Sequence, residues 1–402
     1  MTKLTVDEAL AAIRAAPTRS EPVSVPLAEA KNRILFESVV AGRDQPPFDA
    51  SAMDGYAVAA TTQVSKTYKV VGESSAGRAF PGLVSEGEAI RIFTGAPLPA
   101  GTNRVILQED VWRDGTTITL KEKPDLGSKP HVRPCASDFA MGDILLTSGD
   151  RLDGWKLALV AAGGASHVKV FKRPRVVIVC AGDELVGPGD IPRNDQIFET
   201  NSFALAALVE QWGGEVVPGR ISQDNLTDLT RHMTLEEADI IVTVGGASVG
   251  DYDLVRPALT RACIAWGFQA INMKPGKPTA YGTLPNGQSV LCLPGNPGSA
   301  LVSAHLFLKP LIKKALGEAC NTPFRLLPCA AGLPANGPRE AYLRALVLAG
   351  TKGGLTILPF SCQDSGNMRD FAITDGIIRR LANGAAINAG EMCECLLVND
   401  NI

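Results

Sequence analysis

Residues 173–185 read RPRVVIVCAGDEL. Five consecutive apolar residues, Val176 to Cys180, run into a Gly-Asp turn. No polar residue alternates through the run, so the stretch predicts a strand covered on both faces. The segments downstream repeat the theme. Residues 200–214, TNSFALAALVEQWGG, predict a helix with Asn201 or Ser202 as its cap and Gly213-Gly214 as its stop. A short strand is expected at 215–218, a second helix at 225–237 and a buried strand in ADIIVTVGG at 238–246. A further helix is expected from Tyr252. Strands are expected in FQAINM (268–273) and SVLCLPG (289–295), and a long apolar helix over 298–316. Apolar strands alternating with helices predict a doubly wound parallel sheet with helices on both faces. Ligands of such sheets bind beyond the carboxyl ends of the strands.

Outward from this region the pattern changes. Residues 4–16 place Leu4, Ala9, Leu10 and Ile13 at helical spacing, with Thr5 as cap and Pro17 as stop. Residues 23–41 read as short strands and one helical turn. Residues 42–142 are rich in Gly, Pro, Asp and Ser, with short strands such as 68–71 and 105–108, which predicts an irregular β-rich domain. Residues 143–171 read as strand, helix, strand. Beyond Gly317 short strands with Gly and Pro punctuation return, as in a small β-domain.

The 402 residues exceed one ordinary core, so several domains are expected. The 40 glycines and 27 prolines make about one residue in six, above average usage and unlike a helical bundle. A net charge of −3 disfavours a sequence-independent nucleic-acid binder. No stretch reaches the ~20 apolar residues of a membrane span, and residues 1–16 do not read as a signal peptide. The nine cysteines form no C-x-x-C pair. Cys180 and Cys292 read as buried core thiols, and the expected location is cytoplasmic.

Every strand end of the α/β region carries polar or turn-forming residues. Glycine-rich turns after a strand let backbone N–H groups converge on an anion. The turn at Gly245-Gly246 continues through Ala247, Ser248, Val249 and Gly250 to Asp251 and Asp253, placing donors beside carboxylates suited to a divalent cation. Alone, it is a weak signal, and a tight turn with Ser248 or Asp251 capping the next helix is the preferred reading. Lys274 and Lys277 flank a Pro-Gly turn and form a cation pair, read as lying in the same row as the other strand ends. Glu184 is a metal ligand, a base or a loop carboxylate; Asp224 is equally a helix cap. The β-rich region carries a pair of conspicuous polar loops. One holds Asp49, Ser51 and Asp54; the other runs from Phe93 through Thr94 to Gly101. No Ser/His/Asp arrangement can be assembled.

Taken together, SAMDGYAV, TGAPLPAG, GDEL, TNSFALAALV, GGASVGDYD, MKPGKP and LPGNP occur in the order seen in molybdopterin molybdenumtransferases, and the chain resembles that family, which takes in bacterial MoeA and the gephyrin E domain. The resemblance covers nearly the whole chain and is looser beyond about residue 320. It implies four domains: an elongated connecting and dimerisation domain (21–40 and 143–173), a β-rich domain (41–142), a MogA-like molybdopterin-binding α/β domain (1–20 and 174–318) and a C-terminal β-barrel (319–402). It implies a homodimer with a cleft shared between subunits. It also implies the reaction, in which adenylylated molybdopterin and molybdate give molybdenum cofactor and AMP with Mg²⁺. Molybdopterin adenylyltransferase and recipient molybdoenzymes are the partners it implies; nucleic acid and membrane are not.

By motif, the resemblance carries catalytic roles to Asp54, Asp138, Glu184, Asp224, Lys274 and Lys277. Substrate binding falls to Thr94, Gly245, Gly246, Ser248, Gly250, Pro294, Gly295, Asn296 and Pro297, and metal binding to Glu184, Asp251 and Asp253. Some positions depart from the family pattern. Ser-Thr of STGDEL is Cys180-Ala181, the Ser before Gly-Gly is Val244, Asp-Ser-Asn is Glu199-Thr200-Asn201, and a usual Glu is Ser137. A buried hydroxyl bond to substrate is worth about 1 kcal/mol, so these losses bear on affinity. They motivate the alternative of a non-catalytic module that binds and delivers cofactor. The adenylyltransferase is a second alternative, but it would leave residues 20–170 unexplained.

Overall fold

The computed structural model describes residues 3–17, 21–60, 64–122, 129–217, 221–222, 238–245, 254–350 and 353–398. The chain divides into two compact units, one of residues 24–170 and one of residues 1–23 with 171–402.

The 24–170 unit is built on a six-stranded sheet. Its order is Arg104–Leu107, Gly55–Val58, Glu88–Ile92, Thr67–Ser74, Thr117–Leu120, Val111–Asp114. Only the Thr67–Ser74 and Glu88–Ile92 pair is parallel. Gly55–Val58 is buried along its whole length because apolar clusters cover both faces. Tyr56 and Val58 join Tyr68, Ile106 and Ile118 on one side; Ala57 joins Ile90, Ile92 and Val105 on the other. Gly55 fits because a Cβ there would lie 2.0 Å from the Ile106 carbonyl oxygen. Away from this sheet, Pro22–Pro26 pairs with His167–Phe171 and Val39–Val40 with Ile144–Leu146. The helix Gly154–Ala162 is capped by Asp153, which accepts from the Lys156 N–H.

In the other unit the first helix, Val6–Ala15, opens with a capping box between Thr5 and Glu8 and buries Val6, Ala9, Leu10 and Ile13. The central sheet runs Glu215–Val217, Arg175–Ala181, Ile240–Val244, Ser289–Leu293, Ala280–Thr283, Ala265–Phe268, with Ile221–Ser222 also pairing along Arg175–Ala181. Its core strands are parallel, as their apolar runs predict. The far side departs from that prediction. Ala280–Thr283 and Ala265–Phe268 pair antiparallel, so the sheet is mixed. FQAINM is not one strand. Phe268 ends the edge strand, and Met273–Lys274 leaves the sheet to pair with Glu340–Ala349.

The helix Asn201–Gln211 forms as expected, but its cap is Thr200 and makes no side-chain bond. The first-turn N–H of Ser202 is satisfied by Glu199 instead, at 2.9 Å. The apolar helix after residue 296 is continuous from Pro297 to Ala315, with a π-turn over Ala304–Leu308. Pro310 has no N–H to donate, and Lys309 reaches back five residues to the Ala304 carbonyl. The helix after the Gly245 turn is described from Val255. The expected helix at 225–237 lies outside the described residues.

The C-terminal strands close on themselves. Leu355–Pro359, Glu340–Ala349, Gly376–Arg380, Met392–Leu397 and Arg325–Pro328 pair in that order. A bridge between Cys329 and Ile357 joins the two ends of the series. Cys329, Ala345, Ile357, Ile378, Cys393 and Cys395 fill the interior of this small barrel.

Candidate active site

In the 24–170 unit, backbone hydrogen bonds lay the two polar loops side by side. Ser51 donates to the Ala96 carbonyl, Gly95 to that of Ser51 and Leu98 to that of Asp49, at 2.8–2.9 Å. Asp54 Oδ1 accepts both the backbone N–H and the hydroxyl of Thr94, each at 2.8 Å. These bonds, with Arg91 adding a smaller Coulombic pull, hold the Asp54 carboxyl below its ordinary range. The Arg91 guanidinium lies over the rings of Tyr56 and Phe93. Asp138 is exposed on a neighbouring loop, tied by its own N–H to the Gln45 carbonyl at 3.0 Å. Among the described residues no side-chain bond joins it to the Asp54–Thr94 pair.

In the other unit the carboxyl ends of Arg175–Ala181, Ile240–Val244 and Ser289–Leu293 converge. Gly245 donates to the Leu293 carbonyl at 3.2 Å. With φ +83°, a Cβ at Gly245 would come within 2.6 Å of the Ala181 oxygen, so only glycine fits. A Cβ at Gly295 would in turn lie 3.6 Å from the Gly245 Cα. The Gly295 carbonyl accepts from Asn201 Nδ2 at 2.9 Å. The turn from Pro294 to Pro297 thus lies against Gly245. Glu184 is exposed just past the Arg175–Ala181 strand, on a turn closed by Leu185 N–H to the Gly182 carbonyl. Gly246, Ser248, Gly250, Asp251, Asp253 and Asp224 lie outside the described residues. Among the described residues no group of three or more His, Cys, Asp or Glu side chains is placed to share a metal ion.

The two lysines do not end a strand of the central sheet, as their sequence position suggested. Lys274 sits on the short strand that pairs with the C-terminal barrel, because Asn272, Met273 and Lys274 find partners there. The turn after it is pinned. Thr279 donates its hydroxyl to the Gly276 carbonyl at 2.7 Å and meets Ser303 at 3.0 Å. Lys274 lines a cleft of about 460 Å³ with Gly298, Arg339, Arg344, Ser365 and Arg380. None of the described side chains lining it is a carboxylate. Lys277 is exposed and does not line it.

Sequence reading missed the C-terminal half of this cleft. Buried Arg344 donates to the carbonyls of Asp364 and Asn367 and lies 4.4 Å from the Phe371 ring. Ser365 is brought against the Pro294–Pro297 loop, accepting at its Oγ from Asn296 Nδ2 at 3.1 Å and at its carbonyl from Gly298 at 2.9 Å. The Ser/Gln/Asp/Gly/Asn-rich run at 361–367 is the signal that could have marked it. Glu199 stood out in the sequence only as a departure from the family pattern. Its buried carboxylate accepts from Cys180 and Ser202. Cys180 and Val244, both 2% exposed, are packed in the core, so their missing hydroxyls are not missing from an open ligand surface.

Family models match three stretches: the MoeA N-terminal region (domains I and II) over residues 4–164, a probable molybdopterin binding domain over 177–314, and the MoeA C-terminal region (domain IV) over 327–398. A molybdopterin molybdenumtransferase of Haemophilus influenzae is 39% identical over 310 residues, covering 75% of this chain and 74% of that protein. The chain belongs to the MoeA family. A MoeA relative from Mycobacterium tuberculosis, molybdopterin molybdenumtransferase 2, is 32% identical and covers 89% of this chain and 90% of its own. The molybdopterin biosynthesis MoeA protein of Pyrococcus horikoshii has a similar structure, with TM-score 0.85 and 28% identity, covering 99% of this chain and all of that one. The motif positions Asp54, Thr94, Gly245 and Pro294–Pro297 fall on the loops described above, and Lys274 falls on the Met273–Lys274 strand. No helix among the described residues is long and apolar enough to cross a membrane.

Proposed function

We propose that the chain is a molybdopterin molybdenumtransferase that combines molybdate with adenylylated molybdopterin and releases AMP. The cleft carries this reading. Lys274 and Arg339, neither in an ion pair among the described residues, line a space with Arg344 and Ser365, and none of the described lining side chains is a carboxylate. A small, doubly charged oxyanion such as molybdate suits that combination of fixed cations and hydroxyl donor. The adjoining turn at Gly245 and Pro294–Pro297 offers closely approachable backbone to the pterin or its phosphate.

Glu184 is the described residue that would hold Mg²⁺. Its exposed carboxylate supplies hard oxygen, and a single carboxylate fits an ion otherwise held by water and substrate phosphates. Magnesium bound there would offset charge on the phosphoanhydride as it breaks. Lys274 orients the oxyanion, and Asp54, fixed by Thr94 in its ionised form, orients water or a substrate donor. By motif, Asp138 belongs with Asp54 and Thr94 among the proposed residues of the 24–170 unit, and Lys277 with the residues outside the described set, Asp224, Gly246, Ser248, Gly250, Asp251 and Asp253, among those of the other unit.

The resemblance adds a division into four domains, a cytoplasmic location and a homodimer whose subunits share the cleft. An adenylyltransferase upstream and molybdoenzymes downstream are the partners of such an enzyme. The deciding experiment incubates purified protein with adenylylated molybdopterin, molybdate and Mg²⁺. AMP and molybdenum cofactor should form together. Tight substrate binding without AMP would establish a delivery module instead, and adenylylation of molybdopterin from ATP would make it the adenylyltransferase. Sedimentation of the purified protein tests the dimer.

A further inference from the structure

A buried carboxylate, only 2% exposed, joins separate segments of the strand-end site. Glu199 follows the short strand Ile197–Phe198 and precedes the helix Asn201–Gln211. Its Oε1 accepts from the Cys180 thiol at 3.3 Å and from the Ser202 N–H at 2.9 Å. Its Oε2 accepts from the Ser202 hydroxyl. Cys180 lies one residue from Ala181, whose carbonyl backs Gly245. Asn201, in the turn that Glu199 caps, donates to the Gly295 carbonyl. The links therefore run from Cys180 through Glu199 to the first turn of the helix, and from there to the 293–297 loop.

We propose that Glu199 is a positioning residue that sets the 293–297 loop against the Gly245 turn, acting through Ser202 and Asn201. Three donors converge on one carboxylate in a water-poor setting, where each bond is stronger than at the surface. Cys180 acts as a donor here and not as a nucleophile. Burial, with the neighbouring Glu199 charge, holds its thiol far above the ordinary range, so it stays protonated. Thr200 makes no capping bond, so without Glu199 the first turn loses its described side-chain acceptor. Asn201 would then lose its fixed approach to Gly295.

The inference rests on the transferase reading for its kinetic consequence only, so the test has two separate readouts. In hydrogen exchange on the full-length protein, Glu199→Ala should accelerate the amides of 293–298 by about tenfold, with barrel segments unchanged. In the AMP-release assay the same variant should raise KM for adenylylated molybdopterin by about tenfold and change kcat less. Glu199→Gln, which keeps an oxygen for Cys180 and Ser202, should restore both. Asn201→Ala should reproduce the KM rise, and the double variant should add little to either single change. Unchanged exchange at 293–298, or a wild-type KM with only a lower melting temperature, overturns the positioning role. A wild-type protein that releases no AMP overturns the transferase reading, while the exchange readout still decides Glu199. If Glu199→Ala does not fold, Cys180→Ala with Asn201→Ala serves as the cycle, and additive effects overturn the proposal.

Discussion

Thr94 gives both its backbone N–H and its hydroxyl to a single oxygen of Asp54, Oδ1, at 2.8 Å each. This paired donation leaves Oδ2 of Asp54 without a described hydrogen bond while fixing the carboxyl plane. Asp54→Ala should cut AMP release at least tenfold, and Thr94→Ala, which keeps the backbone donor, should cut it less. Equal wild-type rates in both variants would remove the pair from the site.

The same bonds set a pH dependence. They lower the Asp54 pKa below the ordinary 3.8, so the ionised pair is intact at neutral pH. A depressed carboxyl pKa contributes above the unfolded value and loses its contribution as pH falls through the folded value. An NMR titration of the Asp54 carboxyl carbon should therefore give a midpoint below 3.8, and Thr94→Ala should raise it. A midpoint at or above that value would contradict the geometry.

Lys274 is exposed on a paired strand, so truncating it should spare the fold. Lys274→Ala should raise KM for molybdate by about tenfold or more, the cost of one charge-assisted contact to an anion. Lys277→Ala should have the smaller effect, because Lys277 does not line the cleft. Rates across a molybdate series would show the reverse order if the cleft is not the oxyanion site.

Gly276 has φ +101°, and a Cβ there would lie 2.6 Å from Ser303 Oγ, which is buried and committed to Thr279. Gly276→Ala should destabilise the protein by about 1–3 kcal/mol through strain and crowding. It should also displace Lys274 and weaken molybdate binding. Denaturant unfolding and the AMP-release assay read the two effects separately.

The thiols divide by environment. Cys135, Cys263 and Cys362 are exposed, whereas Cys180, Cys292, Cys329, Cys393 and Cys395 are buried. Burial pushes Cys393 up to about 12 and Cys395 up to about 11. A raised thiol pKa means little thiolate at a pH of about 8, so alkylation of the native protein should spare Cys393 and Cys395 and mark exposed Cys263 and Cys362 first, with Cys135 slower because desolvation, with the Asp44 and Asp49 charges, pushes its thiol up. Mass spectrometry of brief iodoacetamide labelling checks this, and early labelling of Cys180 would contradict its place in the core.

Local pattern carried much of the α/β unit. The apolar runs at 175–181, 240–244 and 289–293 are buried parallel strands, and Thr5 with Glu8 starts a helix where spacing placed one. Such features are written in neighbouring residues, because strand burial follows from side-chain chemistry and a cap needs a partner only three residues away. The glycine at one of these strand ends was legible for the same reason: Gly245 has the backbone conformation that only glycine takes easily.

Tertiary structure alone decided which segments meet. Nothing local in FQAINM and KPGKP says that the chain leaves the central sheet at Phe268 and that Lys274 pairs with the barrel near Ala341. Nor could spacing bring Ser365 to Asn296, 69 residues apart, or lay Thr94 on Asp54. A strand's hydrogen-bonding edge does not name its partner, and the partner is chosen by how the whole chain closes and buries its cores. The sequence therefore determined the loops and their chemistry, and folding determined which of those loops share a site.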